Sequence, residues 1–183
     1  MRKFIFGVLA FLSLTGSATH IVGGEIYYTC LGNDNYQITL KLYRDCYNGQ
    51  APYDNPASIG VYDINGTLIQ NLLVNYTGSD TMPITLNNPC FIPPTNVCVE
   101  EAIYTTTAVL PPIAGGYVIT YQRCCRNSTI LNIVNPLTVG STISITIPDP
   151  TLATCNSSPR YDSLPPLFMC IGTPFVFNHA ATD

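Results

Sequence analysis

Several segments of the chain alternate apolar and polar residues with a period of two, the pattern of β-strands with one buried face. The run NYQITLKLYRDC alternates in this way and places on one face Tyr36, Ile38, Leu40, Leu42 and, at its end, Arg44. The runs GYVITYQRCC and STISITI do the same through Tyr117, Ile119 and Tyr121 and through Ile143, Ile145 and Ile147. These runs are therefore predicted to be strands that cover an apolar core.

Turn and loop signals separate the strands. Asn65-Gly66 lies between two apolar runs and predicts a hairpin with a type I′ turn. The run VEEAIYTTTAVL is a further strand, rich in β-branched residues. Proline breaks the stretches NPCFIPPTNVC, LPPIAGG, IPDP and SLPPLF, which are predicted to be loops or edges. Because no helical period is sustained, we expect an all-β, Ig-like antiparallel sandwich with almost no helix outside the leader.

The N-terminus has the three parts of a secretory signal peptide. Arg2 and Lys3 precede an apolar run from Phe4 to Leu14, and small residues lead to Ala18. We therefore expect residues 1–18 to be a cleaved leader, too short to be a transmembrane segment, and a secreted or cell-surface protein. Residues 19–172 are predicted to form the sandwich. Residues 173–183 are predicted to form a strand from Pro174 to Asn178 and a junction to a downstream repeat.

The charge of the chain excludes one class of partner. The formal net charge is −4 at pH 7, and loss of Arg2 and Lys3 with the leader makes the mature chain more acidic. Charged residues are 10% of the chain, against about 25% in ordinary domains. An acidic chain with scattered basic residues has no electrostatic footprint for nucleic acid, so we expect no nucleic-acid partner.

The 8 cysteines predict a disulfide framework, because an even count in an exported chain is typical of one. The expected pairs are Cys90–Cys98 and Cys155–Cys170, each around a proline-rich loop, which leaves Cys30 and Cys46 for Cys124 and Cys125. Adjacent strand residues point to opposite faces, so Cys124 and Cys125 are expected to bridge two different neighbours. A vicinal disulfide between them is the alternative.

Catalytic and metal-binding motifs are few. His20 and His179 lie near opposite ends, and the sequence contains neither GxSxG nor HExxH. Cys124-Cys125 lacks the CxxC spacing of a zinc site. We therefore expect no enzyme, with a secreted hydrolase as an alternative that needs a histidine beside a carboxylate. The arginines at 44, 123 and 126 either form a charged binding surface or pair with carboxylates of the chain.

Four blocks of the sequence resemble a known kind of protein: ATHIVGGEIYYTCLGNDNYQITLKLYRDC, NNPCFIPPTNVCVEEAIYTTT, GGYVITYQRCCRN and PFVFNHAATD. They look like the N-terminal module of large secreted Bacteroidetes proteins with Ig-like or polycystic-kidney-disease-type repeats. Those proteins commonly end in the gliding motility-associated sorting domain of type IX secretion. The resemblance implies a non-enzymatic adhesion or structural module, with downstream β-repeats and a surface glycan or protein ligand as partners. It assigns no catalytic residue.

Modification and calcium sites follow from the same resemblance and from the C-terminal residues. Asp80-Thr81-Met82 and Asp162-Ser163-Leu164 match the short O-glycosylation signal of exported proteins in that phylum, which marks Thr81 and Ser163. Asp183 follows small residues at the predicted junction, where Ca²⁺ is bound by clusters of oxygen ligands. We expect no cofactor; Ca²⁺ held by Asp183 together with downstream residues is the alternative to a solvated carboxylate at this position.

A carbohydrate-binding module is the alternative function. The chain has 12 tyrosines, and aromatic rings on a sheet face stack against sugars. The tyrosines predicted to lie in strands are Tyr27, Tyr36, Tyr43, Tyr104, Tyr117 and Tyr121. Core packing is the commoner role of a tyrosine in a strand, so this alternative needs exposed rings.

Overall fold

The computed structural model describes residues 21–49, 51–83, 92, 94–169, 171–172 and 174–183. Strands dominate these residues, and the one helical element among them is a single 3₁₀ turn, Pro136–Thr138. The strands are β1 Ile21–Gly32, β2 Asn35–Asp45, β3 Ala57–Asp63, β4 Leu68–Val74, β5 Tyr76–Thr81, β6 Val99–Val109, β7 Tyr117–Arg123, β8 Ser141–Ile147, β9 Arg160–Tyr161 and β10 Ala181–Thr182.

The first eight strands form two antiparallel four-stranded sheets packed face to face. One sheet has the order β1-β2-β6-β5 and the other the order β4-β3-β7-β8. These orders match the A-B-E-D and C′-C-F-G sheets of immunoglobulin-type sandwiches. The predicted all-β sandwich is confirmed.

The core consists of the inward faces predicted by the alternation. Ile38, Leu40 and Leu42 of β2 are fully buried, and Ile119 and Tyr121 of β7 face them from the other sheet. Each such aliphatic side chain stabilises the fold by roughly 1.5–3 kcal/mol relative to an exposed position. The period-two pattern thus identified the buried faces correctly.

The β3–β4 hairpin is where the sequence placed it, but its turn is of a different type. Gly66 has a positive φ of 83°, whereas Asn65 does not, so the turn is not type I′. The Asp63 carboxylate accepts hydrogen bonds from the backbone N–H groups of Asn65 and Thr67, at 2.9 and 2.7 Å. These bonds favour a longer turn that closes with the left-handed glycine.

The free edge of β1 is covered by a later segment of the chain. The Tyr28 N–H donates to Ser158 Oγ at 2.9 Å, and the Ser158 N–H donates back to the Tyr28 carbonyl at 3.0 Å. The Cys30 N–H donates to Ser157 Oγ, and a disulfide joins Cys30 to Cys155. An uncovered edge would be a template for pairing with other chains, and this segment removes that risk.

The predicted strand from Pro174 to Asn178 is wrong. Those residues lack strand structure, and the pairing near the C-terminus is instead between β10 and β9. Pro174 has no N–H to donate to a ladder. The Phe175 and Phe177 rings are stacked with their centroids 6.2 Å apart, and the Phe177 ring also contacts the His179 ring. Local ring packing has taken the place of strand pairing.

Candidate functional site

One end of the sandwich, which we name the loop end, is formed by the β2–β3 and β7–β8 loops and by the start of β6. The sheet register brings them together, because Asp45 at the end of β2 pairs with Val99 and Arg123 at the end of β7 pairs with Ser141. In immunoglobulin variable domains the corresponding loops carry the binding surface. The cysteine pair of YQRCCRN lies in the β7–β8 loop.

Two of the predicted disulfide pairs are wrong because strand order, not loop length, decides the pairing. Cys98 bonds to Cys46, not to Cys90, because β2 and β6 are neighbours in the sheet. Cys155 bonds to Cys30 on β1, not to Cys170, because the segment after β8 returns along the β1 edge. Cys90 and Cys170 lie outside the described residues.

Cys124 and Cys125 are bonded to each other, so the alternative of a vicinal disulfide is confirmed and the bridges to Cys30 and Cys46 are wrong. The prediction failed because β7 ends at Arg123, and alternation no longer applies to the two cysteines. Cys125 has a φ of +76°, a left-handed conformation that side chains rarely adopt. The pair therefore turns the chain sharply out of the sheet.

Asp45 joins the two loops of this end through a buried carboxylate. It accepts hydrogen bonds from the backbone N–H groups of Tyr47 and Asn48, both at 2.9 Å, and from the side-chain amide of Asn48. From the other loop, Asn127 Nδ2 donates to Asp45 Oδ2 at 2.9 Å. Burial alone would raise the pKa of Asp45, but these hydrogen bonds outweigh it and hold the pKa below its usual value.

A second polar cluster fixes the β2–β3 loop to the core. Arg123 forms an ion pair with Asp54 at 3.0 Å, and the Tyr121 hydroxyl donates to Asp54 Oδ2 at 2.7 Å. The Tyr104 hydroxyl donates to the Asp54 carbonyl at 2.8 Å. Burial, and then the nearby Asp54 carboxylate, raise the pKa of Tyr121, so its hydroxyl stays a neutral donor at physiological pH.

The other two arginines also pair within the chain. Arg44 forms an ion pair with Glu100, and its guanidinium lies 5.1 Å from the centre of the Tyr53 ring. Arg126 Nε donates to the Gly140 carbonyl at 3.1 Å. Pairing with carboxylates of the chain is therefore confirmed for Arg44 and Arg123, whereas Arg126 bonds to a backbone carbonyl.

The tip of the β7–β8 loop carries exposed apolar side chains. Leu131 is 98% exposed and Val134 is 86% exposed. The base of the loop is closed by the Arg126 N–H, which donates to the carbonyls of Val139 and Pro136 at 3.0 and 3.1 Å. This tip was not predicted, although the non-alternating apolar run ILNIVNPL in a long connection was a signal.

The outer surface of the β1-β2-β6 sheet, which we name the charged face, carries a network of ionic side chains. Lys41 Nζ lies 3.4 Å from Glu25 Oε1 and 3.3 Å from Glu101 Oε1, and the Tyr43 hydroxyl donates to Glu25. Burial lowers the pKa of Lys41, but the carboxylates of Glu101 and Glu25 outweigh it and raise the pKa above 10.5.

The outer surface of the other sheet, which we name the open face, is different in chemistry. Its outward residues are Ser58, Gly60, Tyr62, Leu68, Asn71, Leu73, Val118, Thr120, Gln122, Thr142, Ser144 and Thr146. A groove of about 320 Å³ lies among the residues of β3, β4 and β7 on this face. This groove was not predicted from the sequence.

The predicted tyrosines lie mainly in the core. Tyr36, Tyr104, Tyr117 and Tyr121 are buried, as expected for tyrosines that alternate in strands. Tyr27 and Tyr43 are half-buried on the charged face, where the Arg160 guanidinium lies 4.5 Å from the centre of the Tyr27 ring. The four buried rings are therefore closed to a ligand, whereas Tyr43 lines a groove of about 320 Å³ together with Val22 and Leu164.

The remaining predicted residues are dispersed. His179 is exposed, and His20 lies outside the described residues. Thr81 at the end of β5 and Ser163 after β9 are both exposed, so glycosylation there stays a prediction. The described residues contain no cluster of three histidine, cysteine or carboxylate side chains that would hold a metal ion. Asp183 is exposed next to β10, and its calcium site, which requires residues beyond it, stays a prediction.

The disulfides bear on the compartment in which the protein folds. Three disulfides are typical of proteins that fold outside the reducing cytoplasm. In the described part of the chain, no helix has the length and apolar character needed to cross a bilayer.

In comparisons with known proteins, no family model, curated sequence or solved structure matched the chain.

Proposed function

We propose that this chain is a non-enzymatic adhesion or structural module of an exported, modular cell-surface protein. The observation that carries the proposal is the braced loop end. There a vicinal disulfide and the Asp45 anchor hold the base of a loop whose tip exposes Leu131 and Val134, and the Cys46–Cys98 disulfide fixes the neighbouring β2–β3 loop to the start of β6. The signal peptide and the resemblance to secreted surface modules support the same function.

The chemistry of the loop end favours contact over catalysis. Asp45, Asp54 and Arg123 direct their charges to partners in the chain and are thereby committed to holding the loops. Apolar side chains at the tip are left for a partner. A rigid loop that presents exposed apolar groups loses little entropy on binding, which favours affinity.

An attachment assay tests the proposal. Beads that carry the mature chain are incubated with surfaces coated with mucin, collagen, chitin or cellulose, and with cells that display the chain. We expect attachment to at least one surface, and the double substitution Leu131→Asp/Val134→Asp lowers it about tenfold or more. The matched control is Leu152→Asp, because Leu152 is 80% exposed at the opposite end of the sandwich. Attachment that is unchanged by the double substitution contradicts the proposal.

The same coatings test the enzyme alternative. The purified chain is incubated with each coating, and release of reducing sugar or peptide fragments is measured over a day. We expect no release above that of a heat-denatured sample. Release that disappears in His179→Ala would instead support a secreted hydrolase.

A further inference from the structure

The groove of the open face is centred on a glycine inside a strand. Gly60 of β3 pairs with Asn71 of β4 on one side and with Thr120 of β7 on the other. Thr120 in turn pairs with Ser144 of β8. Because Gly60 has no side chain, the row across the sheet is depressed at its middle. The groove volume of about 320 Å³ is at the lower end of the roughly 300–1,000 Å³ of ligand pockets.

An aromatic ring lines this depression. Tyr62 points to the same face as Gly60, since it is two residues further along the strand. A Cβ placed on Gly60 would overlap the Cε2, Cζ and hydroxyl atoms of Tyr62, so the ring extends back over the glycine. Tyr62 is only half-buried and is one of the groove-lining residues. The glycine therefore allows the ring to lie close to the sheet.

The polar groups around the ring both donate and accept hydrogen bonds. The groove is lined by Ser58, Asn71, Thr120 and Gln122 in addition to Tyr62 and Leu68. The Ser58 hydroxyl donates to Asn71 Oδ1 at 2.8 Å, which orients the Asn71 amide and directs its NH₂ group away from Ser58. Amide and hydroxyl side chains offer donors and acceptors side by side without charge.

Charge complementarity restricts the ligand to a neutral one. None of the outward residues of the open face is charged, although the chain as a whole is acidic. The nearest acidic side chain of β3, Asp63, bonds to its own turn, and Arg123 of β7 pairs with Asp54. A charged ligand would lose its hydration on this face and gain no ionic partner.

We propose that this groove binds a neutral saccharide. The apolar C–H face of a sugar ring would pack on Tyr62, and its hydroxyl groups would bond to Asn71, Thr120 and Gln122. The groove is open along the surface, which suits an internal segment of a polysaccharide. The inference deepens the proposed function by naming a ligand class, and it rests on that function only for an extracellular place of action.

Binding is tested with the purified chain in solution. The probes are the neutral polysaccharides xyloglucan, galactomannan, arabinoxylan and mixed-linkage β-glucan, with alginate and polygalacturonate as charged counterparts. We expect at least one neutral probe, and neither charged probe, to retard the chain in affinity electrophoresis. Calorimetry with an oligosaccharide of the retarding polymer then gives the affinity.

Substitutions locate the site. Tyr62→Ala lowers the affinity about 30-fold, the effect of removing a central aromatic contact, whereas Tyr62→Phe keeps the ring and most of the affinity. Thr120→Val keeps the shape, removes one hydroxyl and lowers the affinity about 3- to 10-fold. The matched control is Tyr161→Ala, since Tyr161 is 63% exposed outside this face and its loss leaves affinity unchanged. If Tyr62→Ala fails to fold, Thr120→Val alone carries the test.

Each outcome decides between the proposals. Failure of every neutral probe, or affinity that ignores both Tyr62→Ala and Thr120→Val, overturns the saccharide site. A dimer in sedimentation that Thr120→Arg dissolves assigns the face to a second copy of the chain and also overturns it. Neither result affects the loop-end proposal, which depends on Leu131 and Val134 in the attachment assay.

Discussion

The two outer faces of the sandwich are built in opposite ways. On the charged face, Lys41 of β2 lies between Glu25 of β1 and Glu101 of β6, so the ionic groups stabilise neighbouring strands. The adjacent edge of β1 is covered by the segment around Ser158. On the open face, uncharged side chains surround the groove at Gly60.

The difference teaches where this protein accepts a cost in stability. A glycine inside a strand lowers the intrinsic stability of the strand by roughly 0.5–1 kcal/mol relative to alanine, and at Gly60, in the middle of β3, the Tyr62 ring occupies the space of the missing side chain. Departures from locally optimal sequence are expected at functional sites. The charged face also has a glycine inside a strand, Gly23 of β1 opposite Tyr43, but its ionic groups pair with one another, and we interpret those groups as structural. Four experiments test this division.

Removing the disulfide that holds the covering segment on the β1 edge should have the largest effect on stability. The double substitution Cys30→Ala/Cys155→Ala opens a link with a sequence separation of 125 residues. Loop-closure entropy predicts a loss of about 5 kcal/mol in the free energy of unfolding, measured by urea denaturation. Hydrogen exchange should speed up in β1 first and in β7 last. Equal acceleration in the two strands would show that the cover does not act on β1 in particular.

Filling the groove should have the second largest effect. Gly60→Ala places a methyl group against the Tyr62 ring, and overpacking of this kind costs about 1–3 kcal/mol. In a Tyr62→Ala background the same substitution should be neutral or stabilising, because the methyl group then has space and the unfolded chain loses freedom. A double-mutant cycle in urea measures the coupling. An unchanged cost in both backgrounds would mean that the ring does not cover Gly60.

Breaking the ionic network should lower the free energy of unfolding by a smaller amount. Lys41→Met leaves Glu25 and Glu101 without their shared cation, and we expect a loss of about 1 kcal/mol in the free energy of unfolding. The matched control is Gln122→Met on the open face, which should change the free energy of unfolding by less than about 0.5 kcal/mol. Equal losses in the two variants would contradict the structural role of the charged face.

The pH dependence of this loss has a defined sign. The carboxylates raise the pKa of Lys41 in the folded chain above its unfolded value of 10.5. The stabilisation is therefore complete below that value and disappears as the pH rises through the folded pKa. The difference between the parent chain and Lys41→Met should shrink in alkaline urea titrations. A difference that grows with pH would contradict this assignment.

Adding a charge to the open face should have the smallest effect on stability. Thr146→Lys introduces an ammonium group at an exposed position of β8, and we expect a change within about 0.5 kcal/mol. Thermal unfolding with and without a bound neutral oligosaccharide measures the effect. A large loss would show that this face packs against something and is not open.

The sequence predicted those parts of the fold that depend on local pattern. Alternation identified the buried faces of β2, β7 and β8 because side chains in a strand point to opposite sides regardless of what pairs with it. It also placed the β3–β4 hairpin. The predicted turn type was wrong because the dipeptide Asn65-Gly66 was considered without its neighbour Asp63. The Asp63 carboxylate accepts hydrogen bonds from the turn backbone and thereby favours a longer turn.

The two long-range disulfides and the groove depend on strand order, which local pattern does not contain. Short loops close most easily, and this argument chose Cys98 as the partner of Cys90. The partner is instead Cys46, which comes within reach only once β2 and β6 are neighbours. The groove had a weak signal in ASIGVYD, where a glycine occupies an outward position two residues before Tyr62.

The Cys30–Cys155 bond has a mechanical consequence for a module under tension. Strands β2 to β8 all lie between the two cysteines in the sequence. A force that pulls on the chain before Cys30 and after Cys155 is therefore carried by the disulfide, and these strands do not bear it. The enclosed chain, which would otherwise extend by roughly 400–450 Å, stays shielded from the load. Stretching exposes at most part of β1 and the residues after Cys155, while the open face and the loop end keep their shape.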